Sequence, residues 1–291
     1  MTTRSARFRR IVVGFDSAGE PHLLVETATS IARATRSAVH GVFVEDATLT
    51  TLADLPFVRL VQAPGAGPGQ VTRERMQAAI QREATACERA LSQSARRARL
   101  HWSFDRAHGL LRDEIETSAE AEDLVLVRAD PHTGTTVLQA LAAARSPRFK
   151  GAGLVVVPRL ARPVRGPLAL LSAADRFSPN VVQFAASLAD ARRENLGVLL
   201  VAADEAAMTR LESELHEAAL HRPITMYRLI GGQLSHLAGL LREIGASLVT
   251  ADLSGSPFRD DPTALALLSA AAAPVILLRR PDKREGMGDP A

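Results

Sequence analysis

Residues 11–21 read IVVGFDSAGEP, an apolar run that stops on Asp16 and passes at once through Ser17, Gly19 and Glu20 to Pro21. A short apolar run bounded by turn residues reads as a buried strand, and the segment after it reads as the start of a helix. Two local roles fit the acid. It can stand at the mouth of a ligand crevice, or it can belong to a helix start in which Ser17 to Glu20 forms an S-x-x-E capping box and Pro21 sits in the first turn. The roles are compatible, so Asp16 alone does not decide between them.

Working outward, RIVVGF, AVHGVFV, DLVLVRA and GLVVVP alternate with longer helical stretches, a pattern of parallel strands with crossover helices. Residues 20–34 place Leu24, Ala28, Ile31 and Ala32 on one face. Residues 72–99 form a longer stripe of Met76, Ile80, Ala84, Cys87, Leu91, Ala95 and Ala98, with Arg75, Arg82, Arg89 and Arg96 off it. Cys87 is therefore expected in a core rather than as a nucleophile.

After Val157 the stretch PRLARPVRGP, with its prolines and arginines, breaks the periodicity and reads as a linker over 159–167. The pattern then restarts. Residues 167–205 can be laid over residues 10–47, strand on strand and helix on helix, and residues 227–252 over residues 104–130, each ending in Ala-Asp. The expectation is an α/β, Rossmann-like chain of two tandem domains, 1–158 and 168–282, each an open five-stranded, mostly parallel sheet flanked by helices, with a flexible tail over 283–291. The last strand of each half, GLVVVP and PVILLRR, is almost wholly apolar and would aggregate as an exposed edge. Packing the halves through these strands would cover both and make an internal pseudo-dimer.

Composition narrows the functional classes. The chain has 291 residues, 46% of them hydrophobic, and a single cysteine, which excludes an intrachain disulfide and multi-cysteine metal sites. No signal peptide and no long uncharged apolar run is evident, so a cytoplasmic protein without membrane contact is expected. A net charge of +3 and 4% aromatics give little material for specific nucleic-acid recognition. The eight histidines form no metal-ligand spacing and no G-x-S-x-G elbow is present, so neither a metal site nor an enzyme is expected.

In open parallel sheets ligands bind beyond the strand C-termini where strand order reverses. Asp16, Val44 and Ala129 to Thr136 would face that crevice in the first half, and Ala173, Ala202 and Ala251 to Gly255 in the second. DPHTGTT, residues 130–136, is the candidate anion loop, because Thr133, Thr135 and Thr136 could cap a helix whose N-terminus favours negative charge. Residues 47–71 form an apolar excursion ending in Gly and Pro, a candidate lid or docking segment for a partner protein.

The order of elements resembles the universal stress protein family. IVVGFDSAGE matches its first strand closing on an aspartate and a small residue, GVFVEDA its second strand, and LLSAAAAPVILLRRP its closing helix end and proline-led last strand. The resemblance implies that Asp16 accepts a hydrogen bond from an adenosine moiety and that Val44 offers backbone groups to the base, with Thr133, Gly134 and Thr135 near phosphates. It further implies ATP or AMP as the nucleotide. Members that bind ATP share a loop of Gly, two residues, Gly, nine residues and Gly with Ser or Thr, and this chain departs from it. The first half has Gly134 alone in the loop, and Lys150, Gly151 and Gly153 come too late. The second half has Gly255 beside Asp260 and Asp261, and Ala173 in place of Asp16. The reading is a non-catalytic, stress-associated binding or regulatory scaffold without the usual ATP site. The alternatives are a sensor of adenine nucleotide in the first domain and an adaptor working through 47–71.

Overall fold

The computed structural model describes residues 8–16, 21–45, 59–60, 69–70, 73–129, 140, 142, 144–158, 166–172, 178–217, 222–231, 234–253 and 273–279. In the first half β1 (Arg10–Phe15), α1 (His22–Thr35), β2 (Ala38–Glu45), α2 (Arg73–Arg97), β5 (Trp102–His108), α3 (Leu111–Ser118), β6 (Asp123–Ala129) and β7 (Gly153–Pro158) follow in order. A two-stranded ribbon, β3 (Arg59–Leu60) with β4 (Gly69–Gln70), lies between β2 and α2. The second half runs β8 (Leu168–Ser172), α4 (Pro179–Arg192), β9 (Leu196–Ala202), α5 (Glu205–Glu217), β10 (Ile224–Ile230), α6 (Leu234–Ile244), β11 (Leu248–Asp252) and β12 (Val275–Leu278).

These strands make one ten-stranded sheet in the order β10-β9-β8-β11-β12-β7-β6-β1-β2-β5. From the middle outward, each half has the same order: last strand, fourth, first, second and third. Every pairing of this sheet within a half is parallel. The exception is the centre, where β7 and β12 run antiparallel with Val156 opposite Val275 and Gly153 opposite Leu278. The two apolar last strands thus satisfy each other's edges, and the open edges are β5 and β10.

Strand alternation builds a core on each face. Ile11, Val13 and Phe15 of β1 point to one layer, covered by α1, α2, α4 and α5, and Val12 points to the other with Val42, Val44, Leu111, Ile115, Leu237 and Leu241. Both layers contain residues from both halves. Phe8 meets Phe184 edge-on at 5.4 Å, and α1 packs against both α2 and α4. On α2 the buried residues are Ile80, Ala84, Cys87, Leu91 and Ala95, the stripe expected from the sequence, and Met76 packs against it partly buried.

One helix start differs from the sequence reading. α1 begins at His22 with Pro21 as its N-cap, no side chain caps it, and no acid stands in its first turn. The Pro21 carbonyl accepts the Val25 N–H at 2.9 Å. Pro21 sits at φ −75°, close to the angle its ring imposes, and Ser17 to Glu20, the expected capping box, lie outside the described residues.

The textual overlay of the two Ala-Asp endings also shifts. Val13 pairs with Leu126 and Leu170 with Thr250, so Asp252 occupies the position of Arg128, not of Asp130. The proposed linker lies outside the described residues up to 165, as do Ala173 and the tail 283–291.

Candidate functional site

The candidate crevice of the first half lies past the C-terminal ends of β1, β2 and β5, beside the middle of α2. Asp16 directly follows Phe15, half-buried. Its charge is felt on α2. Burial first, and then Asp16, pushes the Glu83 carboxyl above the ordinary range, against a smaller opposing effect of Arg82. Burial, then Glu83 and Asp16, pushes the Cys87 thiol up to about 12. Asp16 and Glu83 thus form a like-charged pair at the crevice, brought together from a strand end and a helix.

Val44 contributes backbone rather than side chain, which is buried in the second core layer. The alternation along β2 fixes its direction: Ala38 N–H donates to Arg9 on the β1 side, and Val39 N–H to His101 on the β5 side. Even-numbered residues of β2 therefore present both backbone polar groups toward β1. The β1–β2 ladder ends with Phe15 opposite Phe43, so the Val44 carbonyl lies one residue past it, next to Asp16.

Further polar groups gather at the β2 and β5 ends. The Gln81 amide donates to Glu45 Oε1 at 3.0 Å, and His108 Nδ1 lies 3.4 Å from Glu45 Oε2. Gly109, at φ +139°, donates its N–H to the Glu45 carbonyl at 3.1 Å. Arg106 donates to the Gln81 side-chain oxygen Oε1 and lies 3.8 Å from Glu88 on the same helix.

The second half repeats the frame and changes the charges. Gly231, at φ +81°, donates to Ala202 as Gly109 does to Glu45. Arg228 bridges Glu205 and Glu212 of α5, as Arg106 bridges Gln81 and Glu88 of α2. Matching these contacts puts Ala202 at the place of Glu45 and Ala207 at the place of Glu83. Asp252 stands where the first half has Arg128. Two acids of the first crevice are thus alanines in the second, and Ala173, which follows Ser172 in sequence as Asp16 follows Phe15, lies outside the described residues.

Of the residues expected from sequence, Asp16 and Val44 are brought side by side. Thr133, Gly134 and Thr135 lie outside the described residues, and so does the 47–71 excursion apart from the short ribbon. Sequence reading missed Glu45, Glu83 and Arg106. Laying α5 over α2 would have found Glu83, as an acid facing an alanine. Among the described residues no group of three or more His, Cys, Asp or Glu side chains could hold a metal, and no helix is long and apolar enough to cross a membrane.

No family model matches the sequence, and no curated protein does. Solved structures do match. A universal stress protein from Archaeoglobus fulgidus DSM 4304 superposes with a TM-score of 0.61 at 11% identity, over 96% of this chain and 99% of that one. A proposed universal stress protein from Pseudomonas aeruginosa UCBPP-PA14 gives 0.56 at 14% identity, over 94% and 93%. A protein of unknown function from Pseudomonas aeruginosa PAO1 gives 0.56 at 15%, over 94% and 92%. The class is therefore an α/β protein with a mostly parallel, Rossmann-like sheet. Within it, the chain has the universal stress protein fold along nearly its whole length, the architecture that the sequence resemblance implied.

Proposed function

We propose that this chain is a universal-stress-type binding and regulatory scaffold, cytoplasmic and without catalysis, in which neither half holds ATP through the glycine loop. We further propose that the halves are duplicated domains forming an internal pseudo-dimer, a reading supported by the repeated strand order and the repeated arginine bridges. The observation that carries the functional reading is the effect of Asp16 on the Glu83 carboxyl at the first crevice, where the second half has Ala207 at the place of Glu83. An anionic phosphate within about 5 Å of one carboxylate meets repulsion of roughly 1 to 3 kcal/mol at the dielectric of a protein surface or of water. Two such acids disfavour a polyphosphate and favour hydrogen-bond donors or cations.

One observation favours the sensor reading for a less charged ligand. The Val44 carbonyl lies beyond the β1 ladder beside Asp16, an arrangement suited to a nucleoside presenting hydroxyl or amino donors. The adaptor reading through 47–71 is tested separately, by affinity capture with and without that segment.

Protein purified without added nucleotide is denatured and its released small molecules identified by mass spectrometry, followed by calorimetric titration with ATP, ADP, AMP and adenosine. Absence of nucleotide and of heat supports the scaffold. Binding of adenosine or AMP that vanishes in Asp16→Asn transfers the function to the sensor reading. ATP binding tighter than adenosine overturns the electrostatic argument.

A further inference from the structure

The described residues outside glycine that have positive φ are Arg36 (56°), Arg99 (55°) and Arg193 (57°). All three terminate a helix. Arg36 follows α1, Arg99 ends the turn after α2, and Arg193 follows α4. Each closes with the six-residue hydrogen bond of a left-handed helix end: Ser37 N–H to Ala32, Leu100 N–H to Ala95 and Glu194 N–H to Ala189, at 2.9 to 3.0 Å. Glycine is the residue that enters this conformation without steric cost, and it stands at the end of α6 as Gly245, at φ +69°. The other layer of helices has arginine at that position three times.

These three helix ends are neighbours. Thr29 of α1 and Ser94 of α2 touch through their hydroxyls at 3.1 Å, and Arg192 of α4 donates to Ser30 of α1 at 3.3 Å. Beyond those contacts the chain turns at the same end of the molecule, where β2, β5 and β9 begin. Exposed on those turns are Arg33 and Arg36, Arg96, Arg97 and Arg99, and Arg193. Several acids at this end are already engaged: Glu194 by Arg192, Asp190 by Arg222 and Glu120 by Arg9 and Arg10. Glu122 at the sheet start, Glu217 at the end of α5 and Glu243 at the end of α6 are exposed, and they flank the row rather than belong to α1, α2 or α4. Helix dipoles favour a cation at a C-terminus, but one or two arginines within the helix would serve that purpose without the left-handed positions.

We infer that this arginine row across α2, α1 and α4 is a docking surface for the phosphate backbone of a nucleic-acid duplex, read without regard to sequence. Arginine matches phosphate with a planar fork of donors, and six exposed arginines stand here within three adjoining helix ends. Packed helices lie about 8 to 10 Å apart, so three of them spread the guanidinium groups over a span of roughly 20 Å, wide enough to meet several phosphates. A lipid surface is the weaker fit, because the exposed large hydrophobics among the described residues, Leu110, Met226 and Ile230, belong to other parts of the fold and leave nothing at this end to insert.

The test is fluorescence anisotropy of the full chain on a short labelled duplex of arbitrary sequence, at salt from about 50 to 200 mM, with phosphatidylserine vesicles as a parallel arm. The triple variant Arg36→Gly, Arg99→Gly and Arg193→Gly removes three cations at positions where glycine relieves the backbone. Its melting temperature should stay level or rise, while the slope of log affinity against log salt becomes shallower by about 2.7, or 0.9 per arginine. Arg33→Gln with Arg97→Gln leaves every helix cap intact and should reduce the slope by about 1.8. Absence of salt-dependent binding by the wild-type chain, or an unchanged slope in both variants, overturns the inference. Binding to vesicles but not to duplex overturns it in favour of a membrane surface.

Discussion

Gly153→Ala is expected to destabilise the protein by about 2 to 3 kcal/mol, toward the upper end of what overpacking costs in a filled interior. Gly153 opens β7 and stands opposite Leu278 in the antiparallel seam that joins the halves. A Cβ there would lie 2.5 Å from the Leu277 carbonyl oxygen and 3.1 Å from methyl carbons of Leu124 and Leu278. A side chain could rotate aside, but a backbone oxygen held in a strand cannot retreat without parting β12 from β7. The loss is therefore expected to fall on the seam. Gly239→Ala in α6 is the control of opposite sign: nothing lies within 4 Å of its Cβ, and exchanging glycine for alanine inside a helix adds roughly 0.5 to 1 kcal/mol. Urea unfolding followed by circular dichroism measures both, with the slope m reporting whether one cooperative transition persists. Both core layers cross the seam, so a single transition is expected for the wild-type chain. A Gly153→Ala variant within about 0.5 kcal/mol of wild type would refute the close strand pairing at the centre of the sheet.

Cys87 should resist thiol reagents in the native state. With its pKa up at about 12, only about one thiol in ten thousand is ionised at pH 8, against roughly a quarter for a free cysteine near pKa 8.5, and Ellman's reagent should react thousands of times faster after denaturation. Rapid native labelling would show that the face of α2 carrying Cys87 is not packed against the core. His40 is pushed down, chiefly by burial and then by Arg10, against Asp105 and Asp123. Its folded pKa lies below the unfolded value, so its neutral form contributes stability that is present above pH 6.5 and lost as pH falls from there through the folded pKa. His40→Gln should flatten that part of the stability profile, and an unchanged slope would assign it to other groups. The shift at Glu83 has the opposite sign. Its raised folded pKa makes stability greatest below about pH 4.5 and lost as pH rises through the folded value, so Asp16→Asn should lessen the loss. Equal pH profiles for wild type and Asp16→Asn would show that the two carboxylates do not interact.

Much of the fold was legible because burial on both faces of a parallel strand leaves a nearly continuous apolar run. RIVVGF, DLVLVRA and GLVVVP carry that mark, and the Ile80–Ala95 stripe carries the helical one. The antiparallel seam followed from asking what could cover two apolar last strands. The start of α1 reads a little early from sequence, because Pro21 is expected inside the first turn and the helix takes it as its boundary. At the site, Asp16 was legible as a polar residue ending a strand. Glu83 was not, because on α2 it reads as one more solvated charge off the stripe, and only the crossing of α2 over the β1 end gives it a partner. The left-handed arginines are hidden for a similar reason, since the sequence signal for a helix end of that geometry is glycine.

The repeat lets each half serve as a control for the other. Features present in both answer to the fold: the arginine bridge from the third strand to the helix before it, the glycine that receives the chain after that strand, and the left-handed closure of the first helix. Features that differ are free to answer to function. Glu45 and Glu83 face Ala202 and Ala207, while His40, bonded to Ser103 at 2.8 Å, faces Gly197 with Tyr227 closing over it. A fold that tolerates alanine or glycine at each of these places does not require the acids or the histidine, so the polar set of the first half is an addition to the architecture. Arg36 and Arg193 divide differently. The left-handed turn is the fold's requirement and glycine would meet it, yet both halves place arginine there, so the shared geometry belongs to the fold and the guanidinium groups to whatever meets that end of the molecule.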